Sequence, residues 1–111
     1  MNIKTAVIAT ALVTTPAWPI SNAHAGEADE GKALYQKNCV GCHGADGKGN
    51  PAMIKAMGEK GLNIVTKETM DKSDEVLLKV IAEGAGKMPP SKKLSADDQK
   101  AVLRYNRSLA K

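Results

Sequence analysis

Cys39-Val40-Gly41-Cys42-His43 is the stretch of sequence that decides the fold of this 111-residue chain. Its two cysteines stand three residues apart, and a histidine follows the second one directly. Near a helix end, two cysteines at this spacing can add to the two vinyl groups on one edge of a porphyrin. The next residue then projects its imidazole towards the metal at the centre. The pattern C-x-x-C-H therefore predicts a covalently attached c-type haem, with thioethers at Cys39 and Cys42 and His43 as an iron ligand.

Two other chemistries also use closely spaced cysteines, and the rest of the sequence favours neither. A thiol–disulfide C-x-x-C site normally belongs to a strand-bearing βαβ unit, and no alternating β pattern occurs in this chain. A zinc site needs four ligands, whereas residues 26–111 offer only Cys39, Cys42 and His43 as ready ones. With two cysteines in all, a scaffold built on many disulfides is excluded.

The first 25 residues have the pattern of a secretory signal. Lys4 supplies a positive start, residues 6–13 form an apolar run, and an A-x-A site ends at Ala25. The run is too short to span a bilayer, which needs about 20 apolar residues. We therefore expect a signal peptide over residues 1–25 that is cleaved after Ala25, with cleavage after Ala23 as the second choice.

Removal of residues 1–25 leaves a domain of residues 26–111 with a net charge of +3, because Lys4 departs with the signal. Export would place this domain in an oxidising compartment. The charge excess is modest, and no block of basic residues or aromatic stacking motif points to nucleic acid. Only two aromatics remain, Tyr35 and Tyr105, and such a core has room for a large apolar cofactor.

The apolar spacing predicts helices and no strands, so the expected class is all-α. Ser73 and Ser95 are candidate N-caps for two of these helices, and Gly84 is a candidate stop for the first of the two. Glu27, Asp29 and Glu30 lie at the expected start of the first helix, where they would complement its dipole. The expected helices cover residues 29–38, residues 52–57, the segment after Ser73, and the segment after Ser95.

The domain resembles the class I monohaem cytochromes c of the small bacterial type, over nearly all of residues 27–110. In that family a glycine and an aromatic residue precede the motif at fixed offsets, as Gly31 and Tyr35 do here. An apolar and an aromatic residue of the last helix, matched by Val102 and Tyr105, contact the first helix. The resemblance implies one cytochrome c domain over residues 26–111, with three main helices around one covalent haem.

The resemblance also implies that a methionine is the second axial ligand of the iron, opposite His43. Met88 is the leading candidate because it lies in Gly86-Lys87-Met88-Pro89-Pro90, before the last helix. Pro89 pushes its predecessor towards extended geometry, and neither proline supports a helix, so the segment can lie across a haem face. Met57 and an open sixth position remain the alternatives, while Met53 and Met70 are interpreted as core residues.

Two further features of the haem site follow from the resemblance. The other nitrogen of the histidine ligand needs an acceptor, commonly a backbone carbonyl, and Pro51 is the candidate here. Some relatives bond a haem propionate with a tryptophan, which residues 26–111 lack. Lysines, Asn63 and backbone donors remain open as propionate partners.

The expected function is that of a periplasmic electron carrier, not an enzyme, with a low-spin His/Met haem. The alternatives are a haem enzyme or a gas or peroxide sensor with an open or displaceable sixth site, and a subunit of a larger oxidoreductase complex. We expect a monomer without stable membrane insertion, whose redox partners dock by acidic faces. The lysines expected near the haem edge are Lys48, Lys55, Lys87, Lys92 and Lys93.

Overall fold

The computed structural model describes residues 10–19 and 23–111. Within these ranges the chain forms six helices and no strand, which confirms the all-α class. The helices are α1 (Ala23–Asn38), α2 (Val40–His43), α3 (Pro51–Met57), α4 (Lys67–Met70), α5 (Asp74–Glu83) and α6 (Ala96–Leu109). None of the helices described here is long and apolar enough to cross a lipid bilayer.

Helix α1 starts earlier than the sequence predicted. It begins at Ala23, whereas the predicted helix began at residue 29. Three alanines before that point, at positions 23, 25 and 28, favour helix and carry α1 towards the N-terminus. Asp29 and Glu30 therefore lie beyond the first turn of α1, which contains no acidic residue, and the predicted match with the helix dipole was wrong.

The proposed signal falls partly outside the described residues. Residues 1–9, with the first half of the apolar run, and residues 20–22 are not among them. Residues 10–19 are exposed and have no regular structure. The cleavage sites after Ala25 and Ala23 stay predictions.

The starts of α5 and α6 were predicted correctly, because the signals that set them are local. The Ser73 hydroxyl accepts a hydrogen bond from the Val76 backbone, and α5 ends at Gly84, whose φ is +77°. At α6, Ser95 and Asp98 form a reciprocal capping box, each side chain accepting from the backbone N–H of the other residue. These caps determine where each helix enters the domain.

The shortest helices, α2 and α4, were not predicted. Each contains four residues, which is too few to show a helical repeat of apolar positions. Helix α2 follows α1 after a single break at Cys39, whose N–H still donates to the Tyr35 carbonyl. The C-x-x-C-H motif therefore follows directly on the end of α1.

Helices α1 and α6 cross in close contact at Gly31. A Cβ atom placed on Gly31 would lie only 2.3 Å from the carbonyl oxygen of Ala101. One turn further, the rings of Tyr35 and Tyr105 pack with their centroids 5.2 Å apart and their planes tilted by 57°. Val102 is buried on the same side of α6. The expected crossing of the first and last helices is confirmed.

Arg107 ties α6 to the turn between α4 and α5. Its Nε donates to Asp74 Oδ1 at 2.7 Å, and its two terminal nitrogens donate to the carbonyls of Met70 at 3.1 Å and Lys72 at 2.8 Å. A planar guanidinium can serve three acceptors at once because its donors point in fixed directions. This contact fixes the position of the α4–α5 turn against the last helix.

Candidate functional site

The motif residues converge on one cleft at the junction of α1 and α2. His43 is buried, while Cys39 and Cys42 are partly exposed and form no disulfide. All three side chains line a cleft of about 310 Å³, whose opposite wall is formed by Met88 and the residues that follow it. The cysteines therefore lie at one edge of the cleft and the histidine lies deeper.

The orientation of His43 is set by a backbone carbonyl, but not by the one predicted. Its Nδ1 lies 2.9 Å from the Leu62 carbonyl oxygen, so the Pro51 prediction was wrong. Pro51 is the exposed first residue of α3, whereas Leu62 is buried in the loop after α3, which folds back over the histidine. With Nδ1 donating to Leu62, the Nε2 atom is the nitrogen left for a metal.

Met88 lies in a tight turn that is anchored on both sides. Ala85 and Met88 exchange two backbone hydrogen bonds, of 3.1 and 2.9 Å, and the Ser91 N–H donates to the Ile81 carbonyl at 3.0 Å. The turn passes so close to Gly84 that a Cβ there would meet the Met88 carbonyl oxygen at 2.4 Å. The two prolines that follow keep the segment extended.

A cavity occupies the space where the core of so small a domain would be expected. One space of about 70 Å³ has mostly apolar walls, and it shares lining residues with three clefts of about 550, 410 and 310 Å³. His43 and Met88 line all four spaces. A large, flat, mainly apolar group fits between them, with the cysteines at one edge.

The other methionines are less well placed. Met57 lines a single one of these clefts and is 38 % exposed. Met53 and Met70 are half-buried and line none of the four spaces. Among the described residues, Met88 is therefore the methionine that lines every space that His43 lines.

Comparison with known proteins agrees with this geometry. A family profile described as "Cytochrome C oxidase, cbb3-type, subunit III" matches residues 26–105. The chain belongs to this family of c-type cytochromes. Cytochrome c-551 of Bacillus subtilis (strain 168) is 39 % identical over 77 residues, which are 68 % of this chain and 57 % of the relative. The chain thus spans little more than half the length of that relative.

As a c-type cytochrome, the protein carries covalently bound haem c with its iron and belongs to a class that transfers electrons. The residues present fit this group, because the cavity is apolar within and the two thiols stand at its rim. Burial raises the pKa of the Cys39 thiol, and the neighbouring Cys42 raises it further.

Tyr35 of the cytochrome lines the apolar cavity. Its hydroxyl donates to the Gly44 carbonyl at 2.7 Å, and only 1 % of the residue is exposed. Burial raises the pKa of this hydroxyl well above its usual range, and the nearby Cys39 adds a smaller electrostatic contribution. The hydrogen bond links α1 to the loop that follows the motif.

Three of the five predicted lysines line the haem clefts. Lys92 and Lys93 line the cleft that contains both cysteines, and Lys87 lines the cleft beneath the Met88 turn. Lys48 and Lys55 are exposed but line none of these clefts. Sequence reasoning missed two lysines that do, Lys60 and Lys72, because nothing in the sequence shows that their loops return to the cleft.

Proposed function

We propose that this cytochrome is an exported one-electron carrier with a His43/Met88-ligated haem, which exchanges electrons with redox proteins that dock by acidic faces. When bound, the haem supplies an iron that alternates between its ferrous and ferric states. Cys39 and Cys42 would hold the group by thioether bonds at the open edge of the cleft. The remaining residues orient the ligands and exclude water.

The observation that carries the proposal is the shared position of His43 and Met88. They line the same four spaces, and the Nδ1 atom of His43 is already hydrogen-bonded to the Leu62 carbonyl oxygen. In this proposal the Nε2 atom of His43 and the Met88 thioether would be the two side-chain ligands of the iron. The anchored turn at Ala85–Met88 would hold that thioether in place in both oxidation states.

A filled sixth position favours a carrier over a catalyst. If His43 and Met88 both bind the iron, the protein would leave no position on it open for oxygen or peroxide. A methionine ligand also raises the reduction potential relative to a second histidine. The walls of the 70 Å³ cavity are mostly apolar.

The test is the absorption spectrum of the purified holoprotein, oxidised and reduced, compared with Met88→Ala and Met57→Ala variants. We expect a low-spin spectrum with a methionine-to-ferric-iron charge-transfer band in the unmodified protein and in Met57→Ala. The band should be lost in Met88→Ala. Met57 is the matched control because it is a methionine on the rim of one haem cleft.

Two results would contradict this assignment. A high-spin spectrum of the unmodified protein would mean an open sixth site and would favour the enzyme or sensor function. A charge-transfer band that survives Met88→Ala and disappears in Met57→Ala would transfer the ligand to Met57.

The docking part of the proposal rests on a lysine rim, which we define as Lys87, Lys92 and Lys93. These side chains are exposed on two of the clefts that contain Met88, next to the edge where the cysteines lie. Exposed charges of one sign attract an anionic partner, and dissolved ions screen this attraction over about 8 Å at physiological salt. The rim would therefore accelerate encounter at low ionic strength.

Stopped-flow oxidation of the reduced protein tests the lysine rim with two small probes. Oxidation by anionic ferricyanide should slow as salt is added, and oxidation by cationic tris(phenanthroline)cobalt(III) should accelerate. A Lys92→Ala/Lys93→Ala variant should reduce both trends, and a Lys48→Ala/Lys55→Ala control should retain them. Equal salt dependence of the two double variants would rule out a local docking site at the rim.

A second candidate function is suggested by the description of the matching family, which names a subunit of an oxidase. In that case the cytochrome would work inside a larger complex. Size-exclusion chromatography of the protein from its native host distinguishes the two: a carrier elutes as a small monomer, and a subunit elutes with the complex. Intact mass from the same preparation tests whether the chain begins at Gly26.

A further inference from the structure

The peptide unit between Leu62 and Asn63 is held from both sides. Its carbonyl oxygen lies 2.9 Å from His43 Nδ1, and its N–H, which belongs to Asn63, donates to the Glu59 carbonyl at 3.4 Å. The Leu62 N–H donates to the same Glu59 carbonyl at 3.0 Å. A trans peptide unit is planar, and its C=O and N–H point in opposite directions. The contacts to Glu59 therefore constrain the direction in which the Leu62 carbonyl points.

The next residue of this loop is tied to the segment that follows the C-x-x-C-H motif. The Ile64 N–H donates to the Gly47 carbonyl at 2.8 Å. The packing around Gly47 is tight, because a Cβ there would lie 2.8 Å from Val65 Cγ1 and 3.6 Å from Asn106 Oδ1. Residues 62–64 thus contact both the side chain of His43 and the loop that follows it, so a shift of these residues would disturb the histidine.

The side chain of Asn63 closes the turn that joins these contacts. Its Oδ1 accepts a hydrogen bond from the Val65 backbone N–H at 3.2 Å, and this bond is partly buried. Its Nδ2 lies 3.5 Å from Glu59 Oε1, which is an exposed contact at the long limit of a hydrogen bond. An asparagine oxygen can replace a backbone carbonyl in such a turn. The Oδ1 atom is therefore the part of Asn63 that holds the loop.

We propose that Asn63 is a positioning residue: by accepting from Val65, it holds the Leu62 carbonyl on His43 Nδ1 and so lowers the midpoint potential of the haem iron. The inference rests on His43 as an iron ligand, as given in the proposed function. A hydrogen bond donated by Nδ1 makes the imidazole a more basic ligand. A more basic ligand stabilises ferric iron relative to ferrous iron, so a weaker bond to Leu62 would raise the midpoint potential.

The test compares Asn63→Ala with Asn63→Ser in the holoprotein. Both variants remove the carboxamide and neither adds a charge, so the two differ by one hydroxyl group. The serine hydroxyl can accept from the Val65 N–H, although more weakly than asparagine, whereas alanine has no acceptor. Any difference between the two variants therefore reports the acceptor alone.

Two measurements on each protein follow the effect to the iron. In the reduced, diamagnetic state, NMR gives the hydrogen-exchange rate of the His43 Nδ1–H, and a redox titration gives the midpoint potential. We expect about fivefold faster exchange in Asn63→Ala, which equals about 1 kcal/mol, together with a higher potential. Asn63→Ser should lie between Asn63→Ala and the unmodified protein in both measurements. The Cys39 N–H, which donates to the Tyr35 carbonyl at 2.8 Å, is the reference and should exchange equally in all three.

Four results would overturn the proposal. Exchange and potential could be unchanged in both variants, or equally changed in both, and in either case the acceptor plays no part. Faster exchange at an unchanged potential would leave Asn63 without influence on the iron. Faster exchange of the Cys39 N–H as well would assign the effect to a loss of overall stability. Failure of the ligand assignment is read separately, because the ring protons of His43 would then lack the upfield shift that a porphyrin ring current gives to an axial ligand.

Discussion

Replacement of Gly31 by alanine tests the packing on which the whole haem site depends. The Cβ atom of the new residue would lie 2.3 Å from the Ala101 carbonyl oxygen and 2.9 Å from its carbonyl carbon. Contacts below 3.0 Å are essentially never seen for real Cβ atoms, so the first of these falls short by about 0.7 Å. Both atoms belong to the backbone of α6, and no side-chain rotation can relieve the overlap. Helices α1 and α6 would have to move apart.

The size of the effect follows from two opposing terms. Overpacking of a closely packed contact costs about 1–3 kcal/mol, and a clash with backbone belongs at the upper end. Alanine is more favourable than glycine inside a helix by about 1 kcal/mol. The expected net loss of stability is therefore about 2 kcal/mol, which lowers Tm by about 8–16 °C for a domain of this size.

Denaturant unfolding of the holoprotein, followed by far-ultraviolet circular dichroism, measures this loss. Gly41→Ala is the matched control, because Gly41 lies in helix α2 and a Cβ there meets nothing within 4 Å. The control should be neutral or slightly more stable than the unmodified protein. A Gly31→Ala variant as stable as Gly41→Ala would refute the close crossing of α1 and α6.

Three further predictions concern single contacts. Tyr35→Phe should cost about 1 kcal/mol at pH 7, because the Gly44 carbonyl loses its donor. The raised pKa of Tyr35 means that the folded protein keeps a proton which the unfolded chain loses above about pH 10. Stability should therefore fall as pH rises above that value, and alkaline titration should show a smaller fall in Tyr35→Phe. Arg107→Lys should lower the free energy of unfolding by about 2 kcal/mol, because an ammonium cannot serve three acceptors in fixed directions. Denaturant unfolding measures this loss, and an unchanged midpoint would contradict the role of Arg107. Ser95→Ala removes half of the capping box and should lower the free energy of unfolding by about 1 kcal/mol in the same assay. A neutral result would mean that Asp98 alone holds the start of α6.

Local signals in the sequence determined the helix ends that were predicted correctly. Ser73 and Ser95 each act on a backbone group three residues away, so their role can be inferred without knowledge of the fold. The C-x-x-C-H motif is local in the same sense, because the spacing of five consecutive residues is enough to indicate the cofactor. The start of α1 was less predictable, because a run of alanines extends a helix without marking its beginning.

The tertiary structure decided which distant groups meet at the site. The partner of His43 is the carbonyl of Leu62, 19 residues away in the chain. Because every residue carries a backbone carbonyl, the side chains of Leu62 and Pro51 do not indicate which of the two accepts this hydrogen bond. The same holds for Asn106, which belongs to the last helix and is unusual only because folding buries its carboxamide beside the haem cavity. The sequence by itself determined the class of the protein, its cofactor and the caps of its helices, since these depend on neighbouring residues. The walls of the cavity depended on how the loops close over it, and that is a property of the folded chain.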